Sequence, residues 1–439
     1  MKLAIEKVIY GGQGLAKIPE GSGAHSGMRI FVPFTLPGEV VEAEIVEERR
    51  GYCVGEVRQM ELPSEFRVAP PCPWFGKCGG CQLQHGSYSE QVKLKRGMLA
   101  ESLTRAGVRE LPEIDVLTGA PLAYRNRVRL QVRTHPEFAI GYRQAKSHRI
   151  VAIDRCPIAM PLLQQAIGMI HSLGSAKLIP AELQEIELFT NHDQSELLLT
   201  AWVGSGRSFE PDIYPNFFTR LQRDLPALTG AAIWTADKEA SPGTRPLLQW
   251  GKQELGYQVA GREYSVSIGS FFQVNATLLD AFVHAVTDDE RGESAWDLFA
   301  GGGLFSAALA GRFTEMLAVE SSPSACKDLR RNMKGTPGKA IQSDTLHFLE
   351  GAARRILQGK QAAPDLVLLD PPRAGAGMEV CRLLARSNPK RMVYVSCDPA
   401  TLGRDLAALV QSGYRPRRLC MVDMFPQTGH LETIATLER

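Results

Sequence analysis

Over residues 266–439, short apolar runs alternate with longer segments in which apolar residues recur at helical spacing. This pattern is typical of repeated strand–helix units, which build a doubly wound, mostly parallel sheet. It predicts a Rossmann-like α/β domain with strands near residues 295–299, 315–320, 339–343, 365–370, 391–396, 417–423 and 432–437. Because ligands of such sheets bind beyond the carboxyl ends of the strands, the polar residues at those ends are candidates for chemistry.

Residues 1–58 show a different pattern, in which short strand-like runs at 29–33, 40–45 and 52–57 are separated by turns rich in Gly and Pro. Such spacing predicts a small OB-like β-barrel. The segment 31–39 also resembles the core of a TRAM domain, which implies RNA binding through the barrel face and loops. A barrel used only for packing is the alternative.

Residues 59–265 are predicted to form a central α+β domain, with loops at 204–207 and 241–243. Ser87 and Glu90 have the spacing of a capping box, which predicts a helix over 87–107. We expect this helix to pack either on the central domain or on the C-terminal domain.

Arginine alternates with apolar residues between Tyr124 and Arg133. Alternation with a period of two predicts a strand with one apolar face and one cationic face. The cationic face carries Arg125, Arg127, Arg129 and Arg133. A cationic strand face suits an RNA backbone, whereas the alternative is the solvated face of a sheet.

Three cysteines, Cys72, Cys78 and Cys81, lie close together with five and then two residues between them, and Cys156 is a candidate fourth ligand. Gly79 and Gly80 allow the intervening chain to wrap tightly around a centre. A four-thiolate zinc site and an iron–sulfur cluster both use such ligands. Because the segment has one C-x-x-C pair where zinc ribbons have two, the spacing favours the cluster.

A glycine turn follows the predicted strand at 295–299. Gly301 and Gly303 allow positive φ and a close approach of the backbone to a ligand, and a helix N-terminus follows. Its spacing differs from the dinucleotide fingerprint, so NAD is not the first choice. Glu320 ends the next strand, where such folds place an acid that holds a ribose. A turn that serves only chain reversal is the alternative.

Two further strand ends carry the chemistry. Asp370 is followed by two prolines and Arg373. Methyltransferases that act on exocyclic amines have an aromatic residue at the position of Arg373, so transfer to an amine is disfavoured. Cys397 lies between a strand and a helix that begins near Pro399, and a helix N-terminus lowers a thiol pKa. We therefore predict that Cys397 is a nucleophile, with a buried inert thiol as the alternative.

Composition limits the function classes only modestly. The chain has 439 residues, of which 44% are hydrophobic and 22% charged, and its net charge is +2. No stretch approaches the ~20 apolar residues of a membrane span, and the first residues lack the apolar core of a signal peptide. We therefore expect a cytoplasmic monomer with neither membrane nor DNA as a partner. Its nine cysteines are not expected to form disulfides in that compartment.

Together these motifs resemble the RNA uracil-5-methyltransferases that use S-adenosylmethionine, the RumA/RlmD and TrmA family. The resemblance covers nearly the whole chain. It depends on the four cysteines, Phe272–Asn275, Asp297–Gly301, Asp370–Arg373, Ser396–Cys397 and His430–Glu432. Ala300 stands where the family often has Cys, and Asp398 stands where it often has Asn and could raise the pKa of Cys397.

The resemblance implies the roles of individual residues. It implies a [4Fe–4S] cluster on Cys72, Cys78, Cys81 and Cys156. It implies that S-adenosylmethionine contacts Gln273, Phe299, Glu320 and Asp370, with Asp344 near the adenine. It also implies Cys397 as the nucleophile that attacks C6 of uracil and Glu432 as the base that removes the proton from C5.

The implied function is methylation of a uridine in 23S ribosomal RNA, since the segment 423–432 looks more like the ribosomal RNA branch of the family. The same reaction on tRNA is the first alternative. A non-catalytic RNA-binding protein on a methyltransferase scaffold is the second.

Overall fold

A computed structural model describes residues 1–204, 209–236 and 245–439 of the chain. Of the loops predicted at 204–207 and 241–243, all but residue 204 lie outside this described part. Across the described ranges, no helix is both long and apolar enough to cross a bilayer.

The N-terminal strands form one curled sheet. They are β1 Lys2–Ala4, β2 Lys7–Val8, β3 Gln13–Lys17, β4 Arg29–Pro33, β5 Val40–Arg49 and β6 Tyr52–Leu62. The sheet order is β1-β5-β6-β4-β3-β2. Strands β1 and β2 follow one another in the chain but lie at opposite edges of the sheet, where β1 pairs with β5 and β2 pairs with β3. This closes the sheet around a core that includes Ile18, Ile30 and Val32. The predicted OB-like barrel is confirmed, and its last strand continues past residue 58 to Leu62.

Helix α1, Tyr88–Arg105, and strand β7, Ile114–Leu117, follow the barrel. Ser87 is the residue before α1, but its side chain makes no capping bond, so the predicted capping box is wrong. The carbonyl of Ser87 instead accepts a bond from the Gln91 amide. Leu99 and Leu103 of the helix are fully buried among residues of the C-terminal domain. The helix therefore packs on that domain.

A mostly antiparallel sheet forms the middle of the chain, as the α+β prediction requires. Its elements are β8 Arg127–Arg133, β9 Ala139–Arg143, β10 Ile150–Ala152, α2 Pro161–Ser175, β11 Leu183–Thr190, β12 Leu197–Val203, α3 Ile213–Asp224, β13 Leu228–Thr235 and β14 Leu248–Gly251. The strand order is β10-β9-β8-β11-β12-β13-β14, and the β12–β13 pair is parallel. Helices α2 and α3 bury their apolar residues, such as Leu163 and Phe218, in the same core as the sheet.

A hairpin of β15, Glu254–Val259, and β16, Arg262–Ser267, leads to helix α4, Leu279–Thr287. Tyr257 and Tyr264 of the hairpin are buried in one core with Phe305 of the C-terminal domain. The hairpin therefore contributes to the C-terminal core, although the predicted boundary at 265 assigned it to the central domain.

The C-terminal domain is a doubly wound sheet. Its elements are β17 Gly292–Leu298, α5 Leu304–Leu309, β18 Phe313–Glu320, α6 Pro323–Asn332, β19 Lys339–Gln342, α7 Thr345–Leu357, β20 Leu366–Leu369, α8 Met378–Ser387, β21 Arg391–Ser396, α9 Pro399–Gln411, β22 Arg415–Val422 and β23 Glu432–Glu438. The strand order is β19-β18-β17-β20-β21-β23-β22-β7. All seven strands predicted for residues 266–439 overlap observed ones.

The winding of this sheet determines where a ligand can bind. The chain runs outward from β17 through β18 to β19, then returns to place β20 on the other side of β17. This reversal opens a crevice at the carboxyl ends of β17 and β20, where open α/β sheets bind ligands. Strand β23 is antiparallel to β21, so its first residue, Glu432, also lies at this edge of the sheet.

Candidate active site

The glycine turn after β17 is built around Glu320. Phe299, Gly301 and Gly303 have φ values of 64°, 53° and 87°, so the chain turns sharply before α5 begins. The amide of Gly301 donates to Oε2 of Glu320 at 2.9 Å, and the amide of Ser322 donates to Oε1 at 2.6 Å. A Cβ on Gly303 would lie 2.7 Å from Leu329 Cδ1, so this glycine is also required for packing against α6.

Two aspartates, Asp297 on β17 and Asp370 after β20, belong to the two neighbouring strands that border the crevice. Asp297 is 1% exposed, and Ser306 donates a hydrogen bond to its Oδ2, while its Oδ1 is buried without a hydrogen-bond partner. Burial raises the pKa of Asp297 to about 7, and the nearby Asp370 and Glu320 carboxylates add to that rise. Burial likewise raises the pKa of Asp370, at the end of β20, to about 7. A cationic ligand would relieve this concentration of acid.

Cys397 lies directly after β21 and before α9, as predicted. Asp398 caps the helix by accepting the amides of Ala400 and Thr401 at 3.0 and 2.9 Å. Burial, followed by the Glu432 carboxylate, raises the pKa of the Cys397 thiol to about 11, and Arg373 opposes that rise. The prediction that the helix N-terminus lowers this pKa is therefore wrong for the protein without bound substrates. The largest influences on this thiol are burial and the neighbouring carboxylates.

Glu432 lies beside Cys397, on the adjacent strand of the sheet. Ser396 pairs with Thr433, so Cys397 and Glu432 occupy the next position of the same two strands. The Glu432 side chain is 3% exposed, and burial raises its pKa well above the usual range, with a further contribution from Asp370. The structure thus brings a thiol and a basic carboxylate together beside the crevice.

The segment before α4 contributes amides and aromatic rings. Gln273 is 8% exposed, and its carbonyl accepts a bond from Asn126 at 3.0 Å. The Asn275 amide donates to the Met424 carbonyl at 3.1 Å, which ties this segment to the loop before Glu432. Phe272 packs against Tyr257 with a centroid distance of 4.8 Å. It therefore belongs to the core and does not form a lid over a ligand.

Asp344 is exposed at the end of β19 and is the N-cap residue of α7, where its Oδ1 accepts the amide of Leu346 at 2.8 Å. This capping bond explains an aspartate here without any ligand. Its position at the carboxyl edge of the sheet is also compatible with the prediction that Asp344 lies near an adenine, which stays a prediction.

The four predicted cysteines come together next to the central sheet. The Cys72, Cys78 and Cys156 thiols lie near enough to Cys81 to raise its pKa, and Cys72 and Cys156 likewise raise the pKa of Cys78. Burial raises the pKa of Cys78 to about 11 and that of Cys81 to about 12. With the side chains placed as they are, the described residues contain no group of three ligands positioned to hold one metal ion.

Charge on the β8 strand is locally balanced. The predicted alternation is confirmed, since Val128, Leu130 and Val132 are buried. Arg127, however, lies 4.0 Å over the Phe189 ring and 3.5 Å from Glu187, and Arg129 forms an ion pair with Glu185. This face therefore offers less free positive charge to an RNA backbone than the sequence suggests.

One contact to the site comes from a part of the chain that carries no motif for it. Tyr10, in a barrel turn, donates its hydroxyl to the carbonyl oxygen of Cys397 at 3.2 Å. A single tyrosine before two glycines gives no sequence signal for such a role.

Known proteins share this combination of elements. A family model described as tRNA (Uracil-5-)-methyltransferase matches residues 352–439. The 23S rRNA (uracil(1939)-C(5))-methyltransferase RlmD of Pectobacterium atrosepticum is 33% identical over 432 residues, covering 97% of this chain and 90% of the relative. RlmD of Chromohalobacter salexigens is 34% identical over 453 residues, covering 100% and 89%. The chain belongs to the RNA uracil-5-methyltransferase family.

A solved structure supports the fold of this uracil-5-methyltransferase. The Pyrococcus abyssi tRNA (uracil-54, C5)-methyltransferase, crystallised with S-adenosyl-L-homocysteine, matches with a TM-score of 0.76 at 24% identity, over 100% of both chains. At that identity the likeness establishes the shared fold. The family resemblance and the predicted fold class are both confirmed.

Proposed function

We propose that the protein transfers a methyl group from S-adenosylmethionine to C5 of a uridine in 23S ribosomal RNA. One observation carries this proposal: the Cys397 thiol, the Glu432 carboxyl and Asp370 lie at neighbouring strand ends beside the glycine turn. The relatives named for 23S rRNA, which match over nearly their whole length, favour that substrate over tRNA.

Residue types at the crevice suit a cationic methyl donor. We assign the donor to the crevice between β17 and β20, beside Gly301, Gly303 and Phe299, with Glu320 oriented by the turn to receive the ribose hydroxyls. When bound, S-adenosylmethionine supplies a methyl group on a sulfonium. Asp297 and Asp370 surround the site with negative charge, which favours a cation there. Gln273 and Asp344 complete the proposed contacts.

The thiol and the carboxylate divide the reaction between them. The Cys397 thiol loses its proton to solvent as its sulfur forms a bond to C6 of uracil, and the C5–C6 π electrons move to give an enolate that is nucleophilic at C5. C5 then accepts the methyl group as its bond to the sulfonium breaks, leaving S-adenosylhomocysteine. Glu432 takes the proton from C5, the C5–C6 double bond re-forms, and the Cys397 thiolate leaves. Arg373 is the cation that opposes the raised pKa of the thiol.

The target base must be unstacked, because the Cys397 thiol cannot reach C5 and C6 of a base that is stacked inside an RNA helix. Phe271, in the segment that leads to α4, is 72% exposed. We assign the RNA to the face of the protein that carries this ring and the barrel turn at Tyr10. The barrel would then have the RNA-binding role expected of a TRAM domain.

We further propose that Cys72, Cys78, Cys81 and Cys156 hold a [4Fe–4S] cluster. Four thiolates are the ligand set that such a cluster uses, and the Gly80 amide donates to the Cys78 sulfur at 3.4 Å, while burial raises the pKa of each of the four thiols. The cluster would crosslink the loop before α1 to the central sheet.

The function can be tested with purified protein, S-adenosylmethionine and either ribosomal RNA fragments or tRNA. We expect 5-methyluridine to appear in the 23S rRNA fragments, detected by mass spectrometry of nucleosides. Cys397→Ala should abolish the product, whereas Cys381→Ala, which removes a buried thiol between α8 and α9, should retain it. Product in tRNA alone would refute the proposed substrate, and product from Cys397→Ala would refute the proposed mechanism.

A further inference from the structure

A tight turn at the edge of the barrel reaches into the active site. The amide of Gly12 donates to the carbonyl of Ile9 at 2.9 Å, and the amide of Ile9 donates to the carbonyl of Gln13 at 2.9 Å. Gly11 and Gly12 have φ values of 95° and 86°, which favour glycine. The two glycines close the turn and leave Tyr10 at its tip.

This turn is fixed against the loop that leads to Glu432. A Cβ added to Gly429 would lie 2.5 Å from the carbonyl carbon of Gly11, so the two backbones touch with no space for a side chain. The amide of Gly429 also donates to Oε1 of Gln82 at 3.1 Å. A Cβ on Gly12 would lie 2.7 Å from Cβ of Gln82, which closes the other side of the turn. Tyr10 is therefore presented on a support made by two other segments.

The Tyr10 side chain ends among the reacting groups. Its hydroxyl donates to the Cys397 carbonyl at 3.2 Å, and its ring lies edge-on to His430 with a centroid distance of 6.3 Å. Burial and the neighbouring Asp398, Cys397 and Glu432 raise the pKa of the phenol, so it remains a hydrogen-bond donor at neutral pH.

We propose that Tyr10, which belongs to the N-terminal barrel, is a positioning residue of the methyl-transfer reaction. Its hydrogen bond holds the peptide group of the Cys397 nucleophile in place. This inference rests on the proposed function, because holding Cys397 in place affects the reaction only if its thiol attacks the base. The bond acts on the strand–helix junction, where a rotation of one peptide would redirect the Cys397 side chain.

Tyr10→Phe removes the hydrogen bond and retains the ring against His430. Tyr52→Phe is the matched control, since it removes one phenol hydroxyl from the same barrel while retaining the ring packed on Phe31. The assay uses an RNA in which the target uridine carries fluorine at C5, so that no proton can be removed and the thiol–C6 adduct accumulates. Adduct formation is followed at saturating RNA, together with RNA affinity and thermal stability.

A neutral hydrogen bond contributes about 0.5–1.5 kcal/mol, so its loss predicts a roughly 2- to 13-fold slower adduct formation. We expect this decrease for Tyr10→Phe at saturating RNA, with RNA affinity and Tm within error of the wild type and of Tyr52→Phe. An unchanged rate would overturn the inference, as would a loss confined to RNA affinity or equal for both variants. Absence of any adduct in the wild type would instead refute the proposed function.

Discussion

The acidic crevice predicts that donor binding depends on pH. Asp297 and Asp370 both have pKa values raised to about 7 because each is removed from water, and the nearby Asp370 and Glu320 carboxylates add to the rise for Asp297. In the free protein each is therefore largely protonated at pH 6 and largely ionised at pH 8. A sulfonium favours the ionised form of both carboxyls, so its binding should release protons near pH 7.

The size of the change in donor affinity with pH follows from the same pKa values. A carboxyl of pKa about 7 that becomes fully ionised in the complex weakens binding by roughly 10-fold when the pH falls from 8 to 6. Two independent groups would give roughly 100-fold, and their mutual repulsion reduces that product. We therefore expect S-adenosylmethionine to bind on the order of 10- to 100-fold more tightly at pH 8 than at pH 6. Asp297→Asn should reduce the dependence by up to about 10-fold.

Isothermal titration calorimetry in buffers of different ionisation enthalpy measures both the affinity and the number of protons released. The amino group of the donor titrates in the same range, but it does so identically for every variant and also in S-adenosylhomocysteine, which lacks the sulfonium. Glu290→Gln is the matched control, because burial raises the pKa of Glu290 at a place outside the crevice. Equal pH dependence for the wild type, Asp297→Asn and Asp370→Asn would refute the reasoning.

Three further predictions concern the support of the site. Lys95→Met should destabilise the protein by about 3–5 kcal/mol in denaturant unfolding, because it leaves the Asp423 carboxylate buried without the cation that lies 2.6 Å away; Lys95→Met with Asp423→Leu should recover most of that loss. Gly429→Ala should cost about 1–3 kcal/mol and slow turnover, since its methyl group would meet Gly11, and unchanged values would show that the barrel turn can shift freely. Cys78→Ser should remove iron and sulfide from protein purified without oxygen, as measured by elemental analysis, whereas zinc in the wild type would contradict the cluster.

Local patterns were sufficient to predict the strands of the catalytic sheet and the place of its site. Asp370 and Cys397 each follow a buried run of apolar residues, and parallel strands necessarily end at one edge of the sheet. Glu432 reaches the same edge because β23 runs in the opposite direction, which no local pattern predicts.

The electrostatics of the site could not be predicted in this way. The helix after Cys397 suggested a lowered thiol pKa, but the dominant influences are burial and Glu432, which is distant in sequence. Arg127 likewise appeared free on its strand, yet Phe189 and Glu187 of the neighbouring strand cover and pair it. Both errors arise because tertiary neighbours determine desolvation, whereas the sequence shows only local neighbours.

The most direct test of the account is to identify the atom that bonds to the base. Wild-type protein is incubated with S-adenosylmethionine and RNA carrying 5-fluorouridine at the target position, and the crosslinked peptide is sequenced by mass spectrometry. We predict that the nucleotide is attached to Cys397, that Cys397→Ser forms no such adduct under the same conditions, and that Glu432→Gln still does. An adduct on another cysteine, or a methylated product from Cys397→Ala, would contradict the central claim.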